Sequence, residues 1–133
     1  MSELDRHPAF AEIDRLLDGP EPDEAGWYSA MRALLERAYL ASDDLYAQSG
    51  MAADAARWER ARRPIVDAID RDGTFLDVGC ANGLLMESLQ AWAAAAGHRI
   101  EPYGLDYSAG IADMARRRLP HWAQRVFDGN IID

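Results

Sequence analysis

Thr74-Phe75-Leu76-Asp77-Val78-Gly79-Cys80-Ala81-Asn82-Gly83-Leu84-Leu85 is the stretch on which the fold of this chain turns. It opens as a short apolar run, Phe75, Leu76 and Val78, interrupted by one acid. It then passes two glycines four residues apart and enters Leu84-Leu85-Met86-Glu87-Ser88-Leu89, which reads as a helix. Strand, glycine turn and helix N-terminus in that order form the layout by which α/β proteins hold a nucleotide-like ligand. Glycine lacks a Cβ, so backbone can turn tightly there and lie against a ligand.

The sequence downstream repeats the alternation. The helix after Gly83 carries Leu85, Leu89, Trp92 and Ala96 on one stripe and ends at Gly97, a natural residue to follow a helix C-cap. A second strand is expected from Ile100 to Leu105, ending at Asp106. Ser108 can cap a helix from Ala109 to Arg118 that buries Ile111, Met114 and Ala115. Leu119-Pro120 closes it, and a third strand at Arg125-Val126-Phe127 runs into Asp128-Gly129-Asn130. Strand, helix, strand, helix, strand predicts a parallel sheet with right-handed crossovers.

Upstream, the pattern is helical. Phe10, Ile13, Leu16 and Leu17 fall at spacings of three and four, which predicts an amphipathic helix from Pro8 to Asp18, stopped by Gly19-Pro20-Glu21-Pro22. A second helix is expected from Trp27 to Leu40, with Trp27, Met31, Leu34 and Ala38 along its core face. The polar stretch 41–54 reads as a loop holding at most a helical turn. A third helix starts near Asp54 and turns Trp58, Ala61, Ile65 and Ile69 inward. Pro64 should kink or divide it, since proline lacks the N–H and clashes with the preceding turn. Arg57, Arg60, Arg62 and Arg63 cluster here, either as a solvated, salt-bridged face or with one of them reaching an anionic group of a ligand over the neighbouring strand. The organisation expected is a helical cap over residues 1–72 and a sheet-bearing part over residues 73–133.

Composition narrows the function classes. The chain has 133 residues, 49% hydrophobic and 28% charged, with a net charge of −9. Acids crowd the start: Glu3, Asp5, Glu12, Asp14, Asp18, Glu21, Asp23 and Glu24. That balance argues against nucleic acid or an anionic membrane as partner and mildly favours a small-molecule substrate. All 14 basic residues are arginine, which with the alanine richness reads as genome bias rather than chemistry. The single Cys80 gives no sign of an oxidising compartment, and residues 1–5 lack the basic start and apolar core of a signal peptide. Ala91 to Ala96 is too short to span a bilayer. A cytoplasmic protein is the expectation. Cys80 reads as a small turn residue, with no partner base at a recognisable spacing, and His7, His98 and His121 are too scattered for a metal site.

Which ligand the turn suits depends on its glycines. A dinucleotide site requires G-x-G-x-x-G, and with Gly79 as the first glycine, Ala81 and Leu84 stand at the other two. The glycine that would admit a pyrophosphate is missing. Asp77-Val78-Gly79-Cys80-Ala81-Asn82-Gly83 instead resembles motif I of class I S-adenosylmethionine-dependent methyltransferases, acid-x-G-x-G-x-G, departing only at Ala81.

The resemblance extends over about sixty residues, because the family carries an acid after its second strand and an acid or amide after its third. Here Asp106-Tyr107 and Asp128-Gly129-Asn130 occupy those places. It implies a Rossmann-like fold with S-adenosylmethionine as cofactor. Asp106 would accept from both ribose hydroxyls, a task that suits a two-oxygen carboxylate and is worth about 1.5–3 kcal/mol per charged hydrogen bond. Tyr107 would lie against the adenine and Asp128 would accept from its amine. The methionine carboxylate would use backbone N–H groups from Gly79 to Gly83, and its ammonium Asp77. Singly, Asp106 and Asp128 are also compatible with loop acids that cap helices.

The family's sheet has seven strands, with the fourth beside the first. The pattern here stops after three, so the sequence is expected to hold only the first half of such a domain. Catalytic residues, which follow the fourth strand, cannot be assigned. The edge of the first strand would be exposed and open to self-association or a partner. The alternative to an enzyme is a non-catalytic remnant that binds cofactor or other proteins. Tyr46, Trp58 and Arg62 are candidates to reach the substrate from the cap.

Overall fold

The structure, a computed structural model, describes residues 8–51 and 53–133. His7 and the acids at 3 and 5 lie outside the described residues. The chain divides into two compact units, Met1–Ala38 and Tyr39–Asp133.

In the first unit, α1 spans Pro8–Asp14 and continues as a 3₁₀ turn over Arg15–Leu17. The next helix, α2 (Glu24–Leu40), starts three residues before the expected Trp27, and its last two residues, Tyr39 and Leu40, belong to the second unit. Asp23 explains the earlier start: its side chain accepts the Gly26 N–H at 2.9 Å, the N-cap bond that satisfies an orphan donor of the first turn. Trp27 Nε1 donates to Asp14 at 2.9 Å, fastening the two helices. Neither helix contains a fully buried residue.

The second unit holds the sheet. The polar stretch after α2 contains only a 3₁₀ turn, Ala47–Ser49. Asp54 caps α3 (Ala55–Arg62), accepting the Arg57 N–H at 2.8 Å. Pro64 then acts as expected. The α-helix stops at Arg62 and the chain continues as a 3₁₀ helix over Arg63–Ala68. Winding at about 3.0 rather than 3.6 residues per turn re-aims the inward positions. Trp58 is buried as expected, but Ala61 and Ile65 are exposed, and Val66 takes the core place.

The three strands are β1 (Gly73–Val78), β2 (Ile100–Asp106) and β3 (Val126–Asp128). They form a parallel sheet in the order β1-β2-β3, with Asp77 opposite Gly104 and Asp106 opposite Asp128. Between them run α4 (Leu84–Ala95) and α5 (Ala109–Arg118), followed by a 3₁₀ turn, Pro120–Arg125. The chain is thus a mixed α/β protein with a parallel sheet and N-terminal helices. Gly97 follows the C-cap of α4 with a φ of 92°, and Ser108 Oγ caps α5 by accepting the Ile111 N–H at 3.2 Å. The buried residues of α5 are Ile111, Ala112, Met114 and Ala115. On α4 the buried face is rotated from the expected stripe. Met86, Leu89 and Ala93 are buried, while Leu85 and Trp92 are half-buried and Ala96 is exposed.

Two of the three buried clusters pack beneath one face of the sheet. Cys80, Met86, Ala112, Ala115, Leu119, Trp122 and Val126 form one; Val66, Leu89, Ala93 and Ile100 form the other. Phe75 touches both. Gly104 lets the first cluster close, since a Cβ there would stand 2.8 Å from both Cys80 Sγ and Met86 Sδ. Within the Tyr39–Asp133 unit, no described element covers the opposite face. Leu76 and Phe127, 49% and 50% exposed, make an open apolar surface with Tyr103 and Leu105, and Val78, 51% exposed, borders the cleft at Asp77. No helix of the described residues is long and apolar enough to cross a membrane.

Candidate functional site

Parallel strands bring their carboxyl ends to one side of the sheet, and ligands of open α/β sheets bind there. The turn after β1, the acid that ends β2 and the turn after β3 all meet at that edge. Gly79, Ala81 and Gly83 take φ of 77°, 48° and 79°. Every second residue of the turn is therefore left-handed. This is the physical reason for a glycine spacing of two, and Ala81 is the one non-glycine among the described residues with positive φ. Its methyl is held in a buried cluster with Ile111 and Met114, against which Tyr39 packs.

Asp106 is stitched into this turn. Its Oδ2 accepts the Ala81 N–H and its Oδ1 the Ser108 N–H, both at 3.0 Å. The carbonyl of Leu105 accepts from both Gly79 and Cys80, at 2.8 and 3.0 Å, and the carbonyl of Asp106 accepts the Gly129 N–H at 2.9 Å. Each Asp106 oxygen is fixed by one backbone donor and retains a second acceptor direction, which fits a pair of ligand hydroxyls.

The same bonds overturn one expectation. Gly79, Cys80, Ala81 and Gly83 all spend their N–H groups inside the protein, the last on the Cys80 carbonyl at 2.8 Å. Four of the five turn amides expected to meet a ligand carboxylate are thus committed, three of them to the end of β2 and the Gly83 N–H within the turn itself. Asn82 is structural as well. It is fully buried, its Nδ2 donating to the Leu45 carbonyl at 2.8 Å and its Oδ1 accepting the Leu84 N–H at 3.1 Å. It fastens the turn to the 41–54 stretch and accepts the first N–H of α4. Arg118 braces the same turn, donating through Nε to the Asn82 carbonyl at 3.0 Å while Glu87 accepts from its guanidinium at 2.6 Å.

Asp77 faces a cleft of about 220 Å³ that Ser49, Trp58, Arg62, Gly79, Cys80 and Leu85 also line. Burial and the neighbouring Asp106 charge push its carboxyl up to about 6, against the opposing pull of Arg62. Burial likewise raises Asp106, which the Ser108 and Ala81 amides partly offset. The Cys80 thiol is pushed up to about 12 by burial and the two carboxylates, so it stays protonated and is no nucleophile. Trp58 is fixed by its Nε1–H donating to Ser88 Oγ at 3.0 Å; the Arg62 guanidinium lies 5.4 Å from its ring centre and the Tyr46 ring 6.1 Å away. The three residues expected to reach in from the cap therefore sit together, two of them on the cleft.

At the third strand, Asp128 is held by Arg116, whose Nη2 donates to it at 2.9 Å and whose Nε and Nη2 also donate to the Val126 carbonyl. Tyr107 lies at the surface, and Asn130 Oδ1 accepts the Ile132 N–H at 3.3 Å. Tyr39 is the neighbour that the sequence did not reveal. Burial and the Asp106 charge raise its phenol, and a Cβ on Gly50 would meet its hydroxyl at 2.7 Å. It sits off the apolar face read for α2, so periodicity carried no signal for it.

Larger depressions on the surface, such as the one along Glu59, Arg63 and Asp67, hold no such convergence of acids and turns. Comparison with protein-family models, curated proteins and solved structures returned no match.

Proposed function

We propose that this chain binds S-adenosylmethionine at the carboxyl edge of β1 and β2, with the Rossmann-like topology of the first three strands of a class I methyltransferase. We propose also that methyl transfer to a small-molecule acceptor is the reaction it serves. The observation that carries this reading is Asp106: a nearly buried carboxylate, oriented by two backbone donors, beside a turn with three alternating left-handed residues. A vicinal diol matches that carboxylate, and the missing middle glycine disfavours a pyrophosphate.

The residues present fit the cofactor in three places. Asp106 would accept from the ribose hydroxyls, and Asp77 would take the ammonium of the amino-acid end. Tyr107, Asp128, Gly129 and Asn130 would border the adenine, with Asp128 offering an oxygen while Arg116 keeps it in place. When bound, the sulfonium supplies an electrophilic methyl group. The protein's share is to hold that group in line with an acceptor, since proximity and orientation supply most of what such a transfer needs. The acceptor and any base that deprotonates it are unassigned.

A second reading is favoured by the uncovered sheet. β1 is an edge strand of the described sheet, and Leu76 and Val78 on it are half exposed. That supports a module that binds cofactor or another protein through β1 without catalysing transfer.

Calorimetry with S-adenosylhomocysteine tests the first reading. Micromolar binding that Asp106→Ala abolishes is expected, and absence of heat with the wild-type chain overturns it. Binding without transfer to any acceptor tried in a small-molecule panel favours the second.

A further inference from the structure

The commitment of the turn amides leaves the amino-acid end of the proposed ligand short of a partner for its carboxylate. The cleft at Asp77 supplies one. Arg62 is its cation, and Asp77 is its acid. The Arg62 charge acts on Asp77, yet the two do not close to a salt bridge. An acid and a guanidinium that face one cleft without pairing present the two charges that an α-amino acid group complements, ammonium to carboxylate and carboxylate to guanidinium.

Arg62 is also held ready for this. Its guanidinium lies over Trp58, and Trp58 is locked by its bond to Ser88 Oγ, which in turn donates to the Leu84 carbonyl at 2.7 Å. A cation–π contact with an indole spends no N–H on an acceptor, so the guanidinium can still donate two parallel hydrogen bonds to a carboxylate. The short 3₁₀ continuation after Arg62 matters too, because it begins immediately past this residue and ends the α-helical register that places Trp58 and Arg62 four residues apart on one face.

We infer that Arg62, lying over Trp58, is the specificity residue for the α-carboxylate of the ligand, and that with Asp77 it selects S-adenosyl amino acids over nucleosides lacking that end. This rests on the proposed cofactor reading. It makes Arg62 a ligand-binding residue of the Tyr39–Asp133 unit and gives the arginine cluster on α3 one member with a task.

Calorimetry with S-adenosylhomocysteine and with 5′-methylthioadenosine, which lacks the amino-acid end, separates the two claims. The wild-type chain should prefer S-adenosylhomocysteine. Arg62→Gln should weaken that ligand by about tenfold to a hundredfold, the range for loss of charge-assisted hydrogen bonds. It should leave methylthioadenosine binding unchanged, which also reports that the variant is folded. Arg62→Lys, which keeps the charge but loses the fork, should fall between. Unchanged S-adenosylhomocysteine affinity in Arg62→Gln overturns the inference while the cofactor reading stands, and so does an equal loss for both ligands. Failure of the wild type to bind either nucleoside overturns the cofactor reading and this inference with it.

Discussion

Asp106 Oδ2 accepts the backbone N–H of Ala81 at 3.0 Å, so the acid that ends β2 is a structural brace of the turn after β1 as well as its electrostatic neighbour. The two roles separate in Asp106→Asn. One amide oxygen replaces two carboxylate oxygens, so either Ala81 or Ser108 loses its acceptor and meets an N–H instead. Leaving a buried donor unsatisfied costs about 1–3 kcal/mol. Urea unfolding without ligand should show a loss of that size. Removing the Asp106 charge should also lower the Asp77 midpoint from about 6, followed by carboxyl NMR. An Asp77 titration that stays put would mean that burial alone sets it.

Asp77 makes stability depend on pH in an unusual direction. Its folded-state value, about 6, lies above the ordinary 3.8, so the folded protein binds the proton more tightly than the unfolded chain. The contribution of this group is therefore most favourable below about pH 4 and is lost as pH rises through about 6. The difference amounts to something on the order of 2 kcal/mol after allowance for its partial exposure. Asp77→Asn should be more stable than the wild type at pH 8 and no more stable at pH 4, by denaturant midpoints at the two pH values. In the wild type, affinity for S-adenosylhomocysteine should rise as pH passes upward through 6, because an ammonium pairs with the ionised acid.

Ala81 tests the backbone of the turn. A left-handed conformation costs an L-residue about 1–2 kcal/mol, which Ala81→Gly would relieve. The change also removes a buried methyl, about 0.8 kcal/mol, and adds freedom to the unfolded chain. These effects nearly cancel, and unfolding should move by less than about 1 kcal/mol. Ala81→Val has no such offset. A β-branched residue at a φ of 48° is a true outlier, and the variant should lose more than about 2 kcal/mol. Equal stability of the two variants would show that the turn relaxes out of its left-handed form.

How far the sequence disclosed this depends on whether a feature is local. Gly79 and Gly83 disclosed the turn because a left-handed φ is a property of single residues. Ser108 disclosed its cap because a cap bond spans three residues. Pro64 disclosed the end of α3, but the 3₁₀ winding beyond it put Val66 in the core instead of Ile65. The commitment of the Gly79, Cys80 and Ala81 amides was hidden, since it depends on where the Leu105 carbonyl and the Asp106 carboxylate arrive from about 25 residues away. The burial of Asn82 was hidden likewise, for its acceptor is the carbonyl of Leu45. Arg118 and Arg116 brace the first and third turns through equally non-local bonds, to the Asn82 carbonyl and to Asp128.

The uncovered face of the sheet offers a contrast within one fold. Met86 is fully buried between Cys80 and Gly104, so Met86→Ala should cost about 2–5 kcal/mol through lost burial and a cavity. Leu76 and Val78 are half exposed on the opposite face of an edge strand, and replacing either by threonine should shift stability by no more than about 0.5 kcal/mol. The same two positions should govern association. Lysine on an exposed strand edge blocks pairing with another chain. If β1 is a docking strand, Leu76→Lys with Val78→Lys should leave the thermal midpoint nearly unchanged and lower the mass seen by sedimentation at high protein concentration. A wild-type chain that sediments as a monomer at every concentration would refute self-pairing through β1.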